Sequence, residues 1–120
     1  MSDHTLTVSS QTHALGATVI GVRGELDQHT APQLHDALAD APFTPGGRVI
    51  LDLAALRYCD STGITALIAA YQLADRSGAR LTLAGPREDL MRLFSVLGID
   101  QLFVVQPTVD EAVASEGHPH

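Results

Sequence analysis

The sequence predicts an α/β domain with the element order ββαβαβαβα. Three observations carry that prediction. The chain opens with β-branched, alternating segments, "TLTVSSQ" and "ATVIGVRGEL". A continuous apolar run, "RVILDL" at 48–53, has the character of a strand buried on both faces. After it, apolar residues recur at helical spacing between further short strand-like runs, and repeated strand–helix–strand units imply parallel pairing with right-handed crossovers. A chain of 120 residues is expected to form one domain, 1–120, with its core at about 5–114 and a polar tail at 115–120. Roughly two thirds of the unfolded surface is buried at this size, so no covalent staple is required.

The first two segments, about 5–11 and 17–24, form a hairpin-like pair across "THALG". "DQHTAPQLHDALAD" then sets Leu34, Leu38 and Ala41 at helical spacing, with Thr30 as the expected N-cap and Pro32 in the first turn. "PFTPGG" ends that helix ahead of the 48–53 strand. The next helix carries Ile64, Leu67, Ile68 and Tyr71 on one stripe and stops near Gly78, a residue suited to a left-handed cap. "ARLTLAG" is a strand. Pro86 marks the start of a helix with Leu90, Leu93, Phe94 and Leu97 on one side, and Gly98 stops it. "LFVV", 102–105, is a short strand, and Thr108 with Glu111 has capping-box spacing for a last helix.

Composition narrows the function. The net charge is −7, and all seven basic residues are Arg, with no Lys and no basic cluster. Such a chain neutralises few phosphates, which argues against direct nucleic-acid binding. Arg, Ala and Gly richness without Lys fits a GC-rich bacterial genome. No apolar run approaches the roughly 20 residues that span a bilayer, and the N-terminus lacks the pattern of a signal peptide. A single cysteine, Cys59, excludes an internal disulfide framework. A cytoplasmic protein is expected, with no membrane association.

Enzyme motifs are missing. A P-loop needs the Lys this chain lacks, and there is no Gly-x-Ser-x-Gly elbow. "DSTG" has one residue too many for the Asp-Ser/Thr-Gly of aspartic proteases, and no second carboxylate motif accompanies it. The six His residues, at 4, 13, 29, 35, 118 and 120, show no metal-ligand spacing. Neither a catalytic residue, a metal nor a cofactor is expected. Cys59 precedes a helix start, where a thiol pKa can fall, but a small buried apolar residue is the preferred reading.

The most informative stretch is "RYCDSTGITALI", 57–68, where a strand hands over to a helix. Asp60, Ser61, Thr62 and Gly63 at such a junction fit a plain helix cap. They equally fit a modification site. A phosphoryl group on Ser61 would meet the positive end of a helix dipole and first-turn N–H donors. It would also add about −1.5 to −2 charge at pH 7 beside Asp60. Gly63 suggests a positive φ or the close approach of a partner's backbone, the plain alternative being that it simply sits in the first turn of the helix.

Four blocks in order, "GELDQHTAPQL", "VILDLAALRYCDSTGITALI", "GARLTLAGP" and "LMRLFSVLGIDQLF", resemble the STAS-domain anti-sigma factor antagonists over roughly residues 5 to 114. The resemblance implies a STAS fold: a four- or five-stranded mixed sheet with about four helices, mostly on one face. It implies a partner switch rather than an enzyme. The unmodified antagonist binds an anti-sigma factor that is also a serine kinase, freeing the sigma factor. Phosphorylation of the first hydroxyl after the Asp, here Ser61, ends that complex, and a serine phosphatase restores it. ATP belongs to the kinase. By position, Asp60, Ser61, Thr62 and Gly63 form the partner-binding loop, and Asp27 lies on a neighbouring loop at the same end of the sheet. Cys59 and Tyr58 are less typical of the family. The alternative is a STAS subunit of another assembly, such as a lipid-transport ATPase or a signalling complex.

Overall fold

A computed structural model describes residues 5–116. Strands β1 (Leu6–Thr12) and β2 (Thr18–Leu26) pair antiparallel in unbroken register, from Leu6 opposite Gly24 to Thr12 opposite Thr18. Then follow α1 (Ala31–Ala39), β3 (Arg48–Asp52), β4 (Leu56–Cys59), α2 (Ser61–Ser77), β5 (Arg80–Ala84), α3 (Glu88–Val96), β6 (Val104–Gln106) and α4 (Val109–Glu116). The sheet runs β1-β2-β3-β5-β6, and β4 pairs with β2 off that path. All pairings except β1 with β2 are parallel.

The sheet therefore has six strands, not four or five; the addition is β4, and Gly24 explains it. The first half of β2, Thr18 to Gly21, pairs with β3, and its last residues, Gly24 to Leu26, pair with β4. At the changeover Gly24 has φ +109 and donates its N–H to Ala55 O at 3.0 Å. The β4 register slips by a bulge between Gly24 and Glu25. A side chain at Gly24 would strike the Thr5 carbonyl, so only Gly serves here.

The sheet buries both faces. On one, Ile20, Val22, Val49, Leu51 and Leu83 pack under Leu34 and Leu38 of α1, Ile64 and Leu67 of α2, and Leu90 and Phe94 of α3. On the other, Val19, Ile50 and Ala84 meet Ala112 and Val113 of α4. Three helices thus share one face and α4 takes the other. Alternation is visible within β3, whose Val49, Ile50 and Leu51 are all fully buried and point to opposite sides in turn. Phe94 and Phe103 stack at 5.2 Å between ring centres, and Tyr71 meets Phe103 edge-on at 6.3 Å. Arg48 fastens α4 by donating from Nη2 to Val113 O at 2.5 Å.

Several local expectations shift. α3 begins at Glu88, after Pro86, and Leu97 falls past its end, half exposed rather than on the buried stripe. The last strand is β6 at Val104–Gln106. Thr108 Oγ1 does accept from Glu111 N, at 3.1 Å. α4 continues to Glu116, two residues into the segment expected as tail, and residues 117–120, with His118 and His120, lie outside the described residues, as does His4. Among the described residues no helix is long and apolar enough to cross a membrane.

Candidate functional site

Two strand ends lie side by side at one end of the sheet. Leu26, the last residue of β2, is the register partner of Cys59, the last of β4. Asp60 N donates to Leu26 O at 3.2 Å, extending the ladder by one bond. Each strand is then followed by an aspartate and a helix: Asp27 before α1, and Asp60 before α2. The structure brings all the expected site residues to this one end.

Asp60 is the N-cap of α2. Its backbone is extended (φ −94, ψ −170), and its Oδ1 accepts from Gly63 N at 3.0 Å. Its carbonyl accepts the first intrahelical bond, from Ile64 N at 2.9 Å. This places Ser61, Thr62 and Gly63 in the first turn, where the N–H groups of Ser61 and Thr62 have no intrahelical acceptor by geometry. The three side-chain positions differ in access. Ser61 is exposed, Thr62 is partly buried and Gly63 is buried. At the other end, Gly78 closes the 17-residue helix in the left-handed conformation, φ 73.

Gly63 has neither a positive φ nor an open approach for a partner. A Cβ there would lie 2.6 Å from Cys59 Sγ, 2.7 Å from Leu26 O and 2.9 Å from Leu26 Cγ. What comes close is the protein's own β2 end. Gly is required because the helix start is pressed against the strand that precedes the other loop.

Cys59 is partly buried in that contact. Burial, with a smaller contribution from the negative charge of Asp60, pushes its thiol up from 9.0 to about 12. The helix start does not activate it. It serves as a small packing residue.

Asp27 is 7% exposed. Its Oδ1 accepts from His29 N at 2.9 Å and from Thr30 N at 3.0 Å. Asp27 N in turn donates to Thr30 Oγ1 at 3.0 Å. The Thr30 hydroxyl has one proton, and Glu25 O at 2.7 Å is nearer than Asp27 Oδ1 at 3.2 Å. Thr30 is the N-cap residue of α1, as expected, but its hydroxyl makes no cap bond to that helix. Asp27 Oδ1 serves the N–H groups of the turn leading into α1, and its carbonyl accepts from Ala31 N at 2.8 Å. Thr30 is the clasp that holds Asp27. The spacing Asp-x-x-Thr after a strand is a readable capping pattern.

Among the described residues no group of three or more His, Cys, Asp or Glu is placed to hold a metal ion. The site is a helix start carrying one exposed hydroxyl beside a closed polar loop.

Residues 9–106 match the family model described as Mlab, STAS domain. The anti-sigma-B factor antagonist of Listeria monocytogenes is 31% identical over 87 residues, 72% of this chain and 76% of that protein. The crystal structure of an anti-sigma factor antagonist from Mycobacterium paratuberculosis superposes with a TM-score of 0.76 at 30% identity, covering 98% of both chains. The fold is also that of SpoIIAA, the anti-sigma factor antagonist solved in its unphosphorylated form (TM-score 0.72, 19% identity, 95% of this chain and 100% of that one). These matches define the class of protein as a single STAS domain. Within that class, the chain belongs to the anti-sigma factor antagonist family.

Proposed function

We propose that this chain is a phosphorylation-controlled anti-sigma factor antagonist whose switch residue is Ser61. In the unmodified state the surface around Asp60, Ser61, Thr62 and Gly63, next to the loop built on Asp27, docks an anti-sigma factor with serine kinase activity in the cytoplasm. The sigma factor is thereby released. Transfer of a phosphoryl group to Ser61 Oγ ends the complex, and a serine phosphatase reverses the step. The described core is the binding domain, and the chemistry belongs to its partners.

The observation that carries this reading is the difference in access between adjacent hydroxyls: Ser61 is exposed at the start of α2, whereas Thr62 is partly buried. A phosphoryl group on Ser61 meets the positive end of a 17-residue helix and spare first-turn N–H donors, so the fold tolerates it. A partner seated flat on the junction meets about −1.5 to −2 added charge next to Asp60, which must be desolvated on docking. The loss is at the interface, not in the fold. Asp27, being buried, contributes by holding the 27–30 loop in shape, and Gly63 by letting α2 start close against β2.

Incubation with the cognate kinase and ATP, followed by phosphopeptide mapping, tests the assignment. Stoichiometric phosphate on Ser61 is expected; phosphate on Thr62 or a distant residue contradicts it. One observation favours a second reading, a STAS subunit of another assembly such as a lipid-transport ATPase: the family model that matches is described for Mlab. Affinity capture with unmodified protein separates the two, since a bound kinase supports the first and a bound transport ATPase the second.

A further inference from the structure

Among the described residues, the edge of β1 is open and differs from every other open edge of the sheet. β6, at the opposite end, is three residues long. β4 is four residues long, carries a bulge in its pairing, and its Arg57, Tyr58 and Cys59 line a hollow shared with Leu90 and Leu93 of α3. Short length, a bulge and cover by a helix are the devices by which sheets block unwanted pairing. β1 is neither short nor bulged in its pairing, and α1 packs on its face, where Leu6 and Val8 join Leu34 and Leu38. The strand spans seven residues, "LTVSSQT", in unbroken register, with no charged residue and no Pro.

The hydrogen-bond parity of β1 is fixed by its two flanks. Glu25 N donates to Thr5 O at 2.9 Å, and His13 N donates to Ala17 O at 2.7 Å. Odd-numbered residues therefore face β2. The backbone N–H and C=O groups of Leu6, Val8, Ser10 and Thr12 point outward, since parity alternates along an antiparallel strand.

The geometry points to β1 as a self-pairing edge, on which a second copy of this chain docks antiparallel about a two-fold axis at Ser9. Three features select a second copy. In a two-fold pair each residue meets its mirror position, so any charge in the centre of the strand would be set against itself. β1 carries none, although the chain as a whole has a net charge of −7. The register centred on Ser9 matches all the outward residues at once: Leu6 with Thr12, and Val8 with Ser10, in both directions. That exchange amounts to about eight backbone hydrogen bonds. It also makes Ser9 face Ser9 of the second copy as a close, non-hydrogen-bonded pair about 4.5 Å apart between Cα atoms, where small hydroxyl side chains fit. β1 lies on the far side of β2 from β4. Ser61 stays uncovered, and the joined sheet carries its two copies at opposite ends.

An edge pair of this length covers less than the roughly 1,200–2,000 Å² of a standard stable interface. A weak, concentration-dependent dimer with Kd of about 0.1 mM is expected. Sedimentation equilibrium on the full chain from about 10 µM to about 1 mM, bracketing that constant, tests this. Ser9→Asp and Ser9→Lys should each weaken the dimer about fivefold, by placing like charges opposite each other. An equimolar mixture of the two should dimerise more tightly than either alone. Ser10→Pro, which removes an outward N–H and leaves the β2 ladder intact, should abolish the dimer. Circular dichroism confirms that each variant is folded, and the Asp/Lys mixture stands as the test if the Pro variant is not. A chain monomeric throughout the range overturns the proposal. So does a dimer indifferent to the Ser9 charges, or an edge that takes only an extended segment of a different protein.

Discussion

Two aspartates end neighbouring strands at the same end of the sheet and start neighbouring helices, yet they do opposite things. Asp27 is closed in: 7% exposed, its Oδ1 taken by two backbone donors and its N–H held by Thr30. Asp60 caps α2 with a single side-chain bond, to Gly63 N, and is followed by an exposed hydroxyl. One turn is a fixed wall and the other is an accessible surface. The contrast teaches that a capping residue and a modification site are not rival readings of "DSTG". Asp60 caps, and by capping it presents Ser61 at the head of the helix.

The contact between the two turns should give the largest effect. Gly63→Val forces a Cβ to within 3 Å of Cys59 Sγ, Leu26 O and Leu26 Cγ. A loss of about 3 kcal/mol is expected, the upper end of the usual cost of overpacking. Urea denaturation measures it. A loss of only about 0.5 kcal/mol, the difference in helix propensity, would mean that the two turns are not pressed together.

Next in size is the closed turn itself. Asp27→Ala leaves the His29 and Thr30 N–H groups without their acceptor. About 2 kcal/mol of stability should be lost. By contrast Ser61→Ala, at an exposed first-turn position, should change stability by less than about 0.5 kcal/mol. Thermal unfolding of both variants under one condition tests the contrast. Equal losses would erase the distinction between wall and surface.

The smallest effect is expected at Cys59, where the turns meet. With its thiol raised from 9.0 to about 12, the folded state favours the neutral form. Its contribution is complete below the unfolded pKa and declines as pH rises from about 9 toward 12. The stability advantage of the native chain over Cys59→Ala should therefore be smaller at pH 10 than at pH 8, which paired denaturation curves would show.

Much of this was legible in the sequence, for physical reasons that differ by element. β3 was readable because an apolar run is what two covered faces demand, and α2 because its stripe and Gly78 mark both face and end. β4 was not, since "LRYC" is four residues long and forms a strand only because Gly24 turns β2 toward it. Thr30 is legible as the N-cap of α1, but not that its hydroxyl turns away from the helix to reach Glu25 O. Gly63 stands out in the sequence, but the contact that requires it does not. Its neighbour in space, Leu26, lies 37 positions away in the chain, and no local pattern announces that contact.

A binding surface governed by charge at Ser61 makes a direct demand on one paired titration. Calorimetry of Ser61→Ala and Ser61→Asp against the cognate anti-sigma factor should give opposite results. The Ala variant binds like the unmodified chain and resists the kinase. The Asp variant, with a second carboxylate beside Asp60 at a site desolvated on docking, loses about 2 kcal/mol or more, roughly thirtyfold in affinity, and keeps its thermal midpoint. Equal affinities for the two variants would contradict the switch, whatever the fold.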